Sequence, residues 1–173
     1  MTASPLSDPD DELEKLLHEL IEIQGHSLEE DVPPSEFTPE TIEALYGMGH
    51  QMYTTGAYGQ ASHIFRVLTL LDAGRKRNWM TLASSLQMTK QFEEAVEMYS
   101  IAGLMDENDP YVHFHAAECL YLVGDKDRGI MALNSAEEIA AGQQVKDINL
   151  INRLALFKQV WCNDDQVKNG ASL

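Results

Sequence analysis

Residues 42–75 read IEALYGMGHQMYTTGAYGQASHIFRVLTLLDAGR, and their pattern returns in residues 76–109 and 110–143. A small residue stands four positions before a large one in each stretch: Ala61 before Phe65, Ala95 before Tyr99, Gly129 before Leu133, with 34 residues between successive anchors. Twelve residues ahead of each anchor comes another small residue, Gly49, Ala83 or Ala117, and three beyond it a large one, Met52, Leu86 or Leu120. Seven past the first anchors lie Leu68, Ala102 and Ala136. Spacings of three, four and seven run along one helix face. Each stretch therefore holds two helices whose small residues let them cross closely while large ones fill the space around. Turn residues fall between the helices, at Thr55-Gly56, Thr89-Lys90 and Gly124-Asp125. Asp72-Ala73-Gly74 and Glu107-Asn108-Asp109-Pro110 join the stretches, and Thr38-Pro39 and Asp109-Pro110 read as a capping residue followed by proline at the first helical position.

Period and residue types together are the tetratricopeptide scheme. The expected fold is all-α: three tetratricopeptide helical hairpins, 42–75, 76–109 and 110–143, in a short right-handed solenoid, closed by a capping helix at 147–162. These make a repeat domain over 39–162, preceded by an acidic arm (1–38) and followed by a frayed tail (163–173). In the arm, Leu13, Leu16, Leu17, Leu20 and Ile21 form one apolar stripe over a helix at 8–24, with Asp8 and Pro9 at its start and Gly25 at its end. Residues 26–37, containing Pro33-Pro34, form a linker. The stripe either folds back on the chain's own repeats or packs against another subunit as a dimerisation arm. The capping helix carries Ile148, Ile151, Leu154, Ala155, Val160 and Trp161.

The formal charge is −16, and residues 1–40 hold twelve of the 28 acids with one base, Lys15. Such a surface repels phosphate backbones and anionic lipid, which argues against nucleic acid or a membrane as partner. No apolar run approaches the roughly 20 residues a spanning helix needs, and the acidic start MTASPLSDPDDELEK is unlike a secretory signal. A cytoplasmic protein with reduced Cys119 and Cys162 is expected, Cys119 serving as packing.

Patterns for chemistry are missing. His113 and His115 lie two apart and so point to different helix faces. Gly47-Met48-Gly49 sits inside a helical pattern and not after a strand, which removes it as a nucleotide fingerprint. No metal ligand set, serine elbow or cofactor site is read, and an enzyme is not expected.

A binding surface is expected on the first helix of each repeat, whose free side lines the hollow of a stacked array. Its residues are Tyr46, His50 and Tyr53, then Met80, Ser84 and Gln87, then Tyr111, Phe114, Glu118 and Tyr121. Rings offer large contact area at low entropic loss, which suits an extended peptide with apolar anchors.

The run Phe114-His115-Ala116-Ala117-Glu118-Cys119 after Pro110 resembles the signature of class II type III secretion chaperones. Leu45-Tyr46, Gly56-Ala57-Tyr58, Ala61, Phe65 and Leu71-Asp72 resemble that family's first repeat, and the likeness spans roughly residues 10–160. It implies a small bacterial cytoplasmic chaperone that keeps hydrophobic translocator proteins soluble, apart and competent for export. It further implies a concave groove for a Pro-x-Leu-x-x-Pro type segment, in which Tyr46, Tyr53, Met80, Tyr111 and Phe114 take part. A homodimer through N-terminal helices and contact with the export machinery are implied as well. His50 and Gln87 depart from the family pattern. Alternative readings are a chaperone for an injected effector, a co-regulator, or a generic repeat scaffold.

Overall fold

In the computed structural model, residues 37–170 are described, with side chains to residue 161. The arm stripe of Leu13, Leu16, Leu17, Leu20 and Ile21, together with Cys162, lies outside the side chains so described. Among the described residues the regular structure is seven helices: α1 (Pro39–Thr54), α2 (Tyr58–Leu71), α3 (Lys76–Met88), α4 (Phe92–Met105), α5 (Pro110–Val123), α6 (Lys126–Gly142) and α7 (Ile148–Gly170). Local chemistry fixes their ends. Thr38 Oγ1 accepts the Thr41 amide at 3.3 Å, Asp109 Oδ1 accepts that of Tyr111 at 2.9 Å, and Pro39 and Pro110 follow these caps. Asp125 and Asp147 cap α6 and α7 in the same way, through the amides of Arg128 and Leu150.

All three expected hairpin turns contain one residue at positive φ: Gly56 at 86°, Lys90 at 64° and Gly124 at 79°. They repeat the 34-residue interval. Glycine enters this left-handed region without a Cβ penalty; lysine in the middle turn does not.

The chain divides into two compact units, residues 1–89 and 90–173. In the first, α2 packs against α1 and α3. Its core is Ala61, Ile64, Phe65, Val67, Leu68, Leu82, Ala83 and Leu86, all essentially inaccessible. Gly49 lets α1 approach closely, since a Cβ there would meet Ile64 and the Phe65 ring at 3.0–3.1 Å. Buried Asn78 ties α3 to the end of α2 by donating from Nδ2 to the carbonyls of Leu68 (3.2 Å) and Asp72 (3.1 Å), which satisfies acceptors a helix end leaves open.

In the second unit α5 packs against α4, α6 and α7. Ala95, Tyr99, Ala102, Ala117, Cys119, Leu120, Leu133 and Ala136 are buried. Burial pushes the Cys119 thiol up to about 12, as expected of a packing cysteine. The expected end of the last helix at 162 is extended: α7 runs to Gly170, through most of the stretch read as a frayed tail.

Candidate functional site

The six expected binding positions of the first unit lie on α1 and α3. Tyr46, His50 and Tyr53 follow one another at i, i+4 and i+7 on α1, a single stripe. Tyr46 and Tyr53 are half-buried and His50 is exposed. The Tyr46 ring meets Phe65 edge-on at 5.7 Å and stacks on His50 at 6.3 Å. One side of it is thus anchored to the core. The Arg77 guanidinium covers it at 4.1 Å, a cation–π contact. Arg77 in turn donates to Glu43 through both terminal nitrogens, one of them at 3.0 Å. These bonds hold the Glu43 carboxyl below its ordinary value.

Farther along the stripe, Tyr53 packs edge-on against Tyr58 at 5.1 Å, and burial raises its phenol above the usual range. On α3, Met80, Ser84 and Gln87 are half-buried, and Ser84 Oγ donates to the Met80 carbonyl at 2.9 Å. The first unit therefore presents rings and a thioether that are neither sealed in the core nor free in water.

The second unit differs. Phe114, expected to line the peptide surface, is 1% exposed and packs in a core with Leu133, Leu150 and Leu154. The cause is α7, which lies against the ring-bearing side of α5. Arg153 sits over the Phe114 ring at 4.6 Å and reaches Glu118 at 3.4 Å. Phe157 meets Phe114 at 5.9 Å and Tyr121 at 5.5 Å. Trp161 meets Tyr121 at 5.0 Å. The Tyr111 hydroxyl donates to Asp147, and that bond raises the Tyr111 phenol and lowers the Asp147 carboxyl from their ordinary values.

Phe114 is therefore a core ring, while Tyr111, Glu118 and Tyr121 stay half-buried as the contact surface for α7. His115 joins them, with Nδ1 2.8 Å from Glu118 and its ring stacked on Tyr99 and Tyr111 at 5.7 and 6.3 Å. Asp147, Arg153 and Phe157 went unread in the sequence. One signal was available. Carried one more step of 34, the positions of Ala117 and Leu120 become Ile151 and Leu154, half-buried and buried respectively. Thus α7 falls in the register of a further first helix, with a ring-bearing face of its own.

Among the described residues, no group of three or more His, Cys, Asp and Glu side chains could hold a metal, and no helix is long and apolar enough to cross a membrane.

Similar proteins have this architecture. The tetratricopeptide repeat family matches residues 78–109. The low calcium response locus protein H of Yersinia pestis is 33% identical over 107 residues, which cover 62% of this chain and 64% of that protein. The match thus spans under two thirds of that relative's length. PcrH of Pseudomonas aeruginosa, solved in complex with the chaperone binding region of PopD, superposes with a TM-score of 0.69 at 32% identity, over 75% of this chain and 97% of that one. The Yersinia enterocolitica type III secretion chaperone SycD, solved with a peptide of the translocator YopD, gives 0.69 at 28% identity over 75% and 98%.

Proposed function

The chain belongs to the type III secretion translocator chaperones, and from this we propose that it holds an extended segment of a hydrophobic secreted translocator in the bacterial cytoplasm. The observation that carries the reading is the half-open stripe of Tyr46, His50 and Tyr53 on α1, flanked by Met80 on α3. Apolar anchors of a client enter between such rings, and backbone groups bond to the phenols. A segment bound in extended form stays unfolded for export. The carrier's charge of −16 keeps a complex with aggregation-prone stretches in solution. The relatives solved with PopD and YopD segments support the class of client.

A scaffold that clamps a free C-terminal carboxylate fits less well. Arg77, the cation that face offers, is already paired with Glu43.

Co-expression with the neighbouring reading frames, followed by pull-down and mass identification, tests the reading. A client with two long apolar stretches is expected. Tyr46→Ala combined with Tyr53→Ala is expected to retain the helical circular dichroism and to lose client co-purification. Wild-type recovery of client by that double variant rejects the stripe as the binding surface.

A further inference from the structure

Helix α7 is covered on one side only. Of its 14 residues α5 exposes one, Leu122, whereas the stretch 148–161 of α7, which stands in the same register, exposes nine. α7 holds the place of a first helix, and among the described residues no second helix follows it. A terminal repeat ordinarily turns a polar face to water. Here two of the nine exposed residues are charged, Arg153 and Lys158, and they lean back onto Glu118 at 3.4 Å and Glu137 at 2.6 Å. The other seven carry no charge. Ile148, Asn152, Ala155 and Gln159 among them follow at i, i+4, i+7 and i+11, steps of four and three that draw one seam along a helix. Ile148 is 61% exposed, and Leu156, beside the seam, 63%. A molecule of charge −16 thus turns an uncharged strip, about 20 Å long, to solvent.

We propose that two copies of the chain meet on this strip, α7 against α7 in antiparallel sense, about a two-fold axis beside Ala155. Charge selects the occupant. An acidic protein draws a foreign basic partner through its carboxylates, and the strip has none. Two copies, each at −16, repel wherever charge is presented and can approach where it is absent. The order of residues is also self-complementary, as a two-fold contact requires. With Ala155 of one copy against Leu156 of the other, the large side chain enters the space beside the small one, and the axis makes this contact twice. The same register sets Asn152 opposite Gln159 of the second copy. Each of these amides both donates and accepts, so they pair with one another. One helix face offers less than the roughly 800 Å² per partner of a standard interface. The pair is therefore weak and forms as concentration rises. The contact uses no residue of the Tyr46–Tyr53 stripe, and the inference stands apart from the client reading.

The test is sedimentation equilibrium of the full chain over a series of concentrations. The mass is expected to climb from 19.4 kDa toward twice that value. Ala155→Glu sets like charges across the axis. It is expected to move the midpoint to a concentration at least about tenfold higher, with helical circular dichroism unchanged. Ala155→Lys alone is expected to do the same. An equimolar mixture of the two variants is expected to return to the wild-type curve, because opposite charges then face one another. Leu16→Asp with Leu20→Asp, in the arm, is expected to leave the curve where it was. A wild-type chain that stays monomeric overturns the proposal. A dimer insensitive to both Ala155 variants gives the contact to another surface and overturns it too. A mixture that associates no better than its components overturns the two-fold pairing on which the proposal stands.

Discussion

Two residues set apart the repeats that the others make alike. In the anchor series Ala61, Ala95, Gly129, on the second helix of each hairpin, the third lacks a side chain and Trp161 fills its place. A Cβ at 129 would stand 2.9 Å from Cζ2 of the indole and nearer still to Cη2. Gly129→Ala must push out Trp161, a side chain only 6% exposed, and is expected to lower stability by about 1–3 kcal/mol, read as a lower urea midpoint. Lys90 is the opposite case. It occupies a left-handed turn position where its two counterparts are Gly56 and Gly124. Relief of left-handed strain is worth about 1–2 kcal/mol, and the added freedom of glycine in the unfolded chain takes back about 0.5–1. Lys90→Gly is therefore expected to raise stability by about 0.5–1 kcal/mol. An unchanged or lower midpoint would contradict that balance.

Among the elements, α7 is held to α5 by rings and also by the Tyr111–Asp147 hydrogen bond. That bond depresses the folded-state value of Asp147, so its stabilisation is present above the unfolded value and is lost as pH falls through the folded one. Tyr111→Phe should shrink the gap in unfolding midpoint between neutral pH and the window below about pH 4. An identical acid-side slope in both proteins would remove this contact from the account. The same helix shows what could be read beforehand. Anchor positions such as Ala61, Ala83 and Ala117 declare burial, because a period of 34 fixes both the helix and its neighbour. Phe114 falls on an inner-face stripe, and periodicity states that direction correctly. Whether such a ring meets solvent depends on what covers it, and the cover arrives from Arg153 and Phe157, some 40 residues later, through contacts that leave no mark in α5's own pattern. For Tyr46 the cover among the described residues is smaller, a guanidinium from Arg77, and the ring stays half-buried. The end of α7 was missed for another reason: the polar run after Trp161 carries no apolar period to follow, yet the backbone remains helical to Gly170.

At the scale of the molecule, charge dominates. A chain of −16 with a pI near 4.5 relies on self-repulsion to stay dispersed, and solubility is expected to pass through a minimum near pH 4.5. Turbidity measured from pH 7 down to pH 3 checks this; a clear solution throughout would show that the acids are not what keeps it dissolved. The seat that Gly129 offers Trp161 has a consequence for anyone wishing to lengthen the array. Splicing a fourth hairpin after residue 143 would evict the indole and leave a ring-sized slot on α6. The graft would have to bring its own large side chain to the matching place or collapse into the gap. The repeat number of this chain is in that sense written as a stop sign, one bare glycine and one tryptophan.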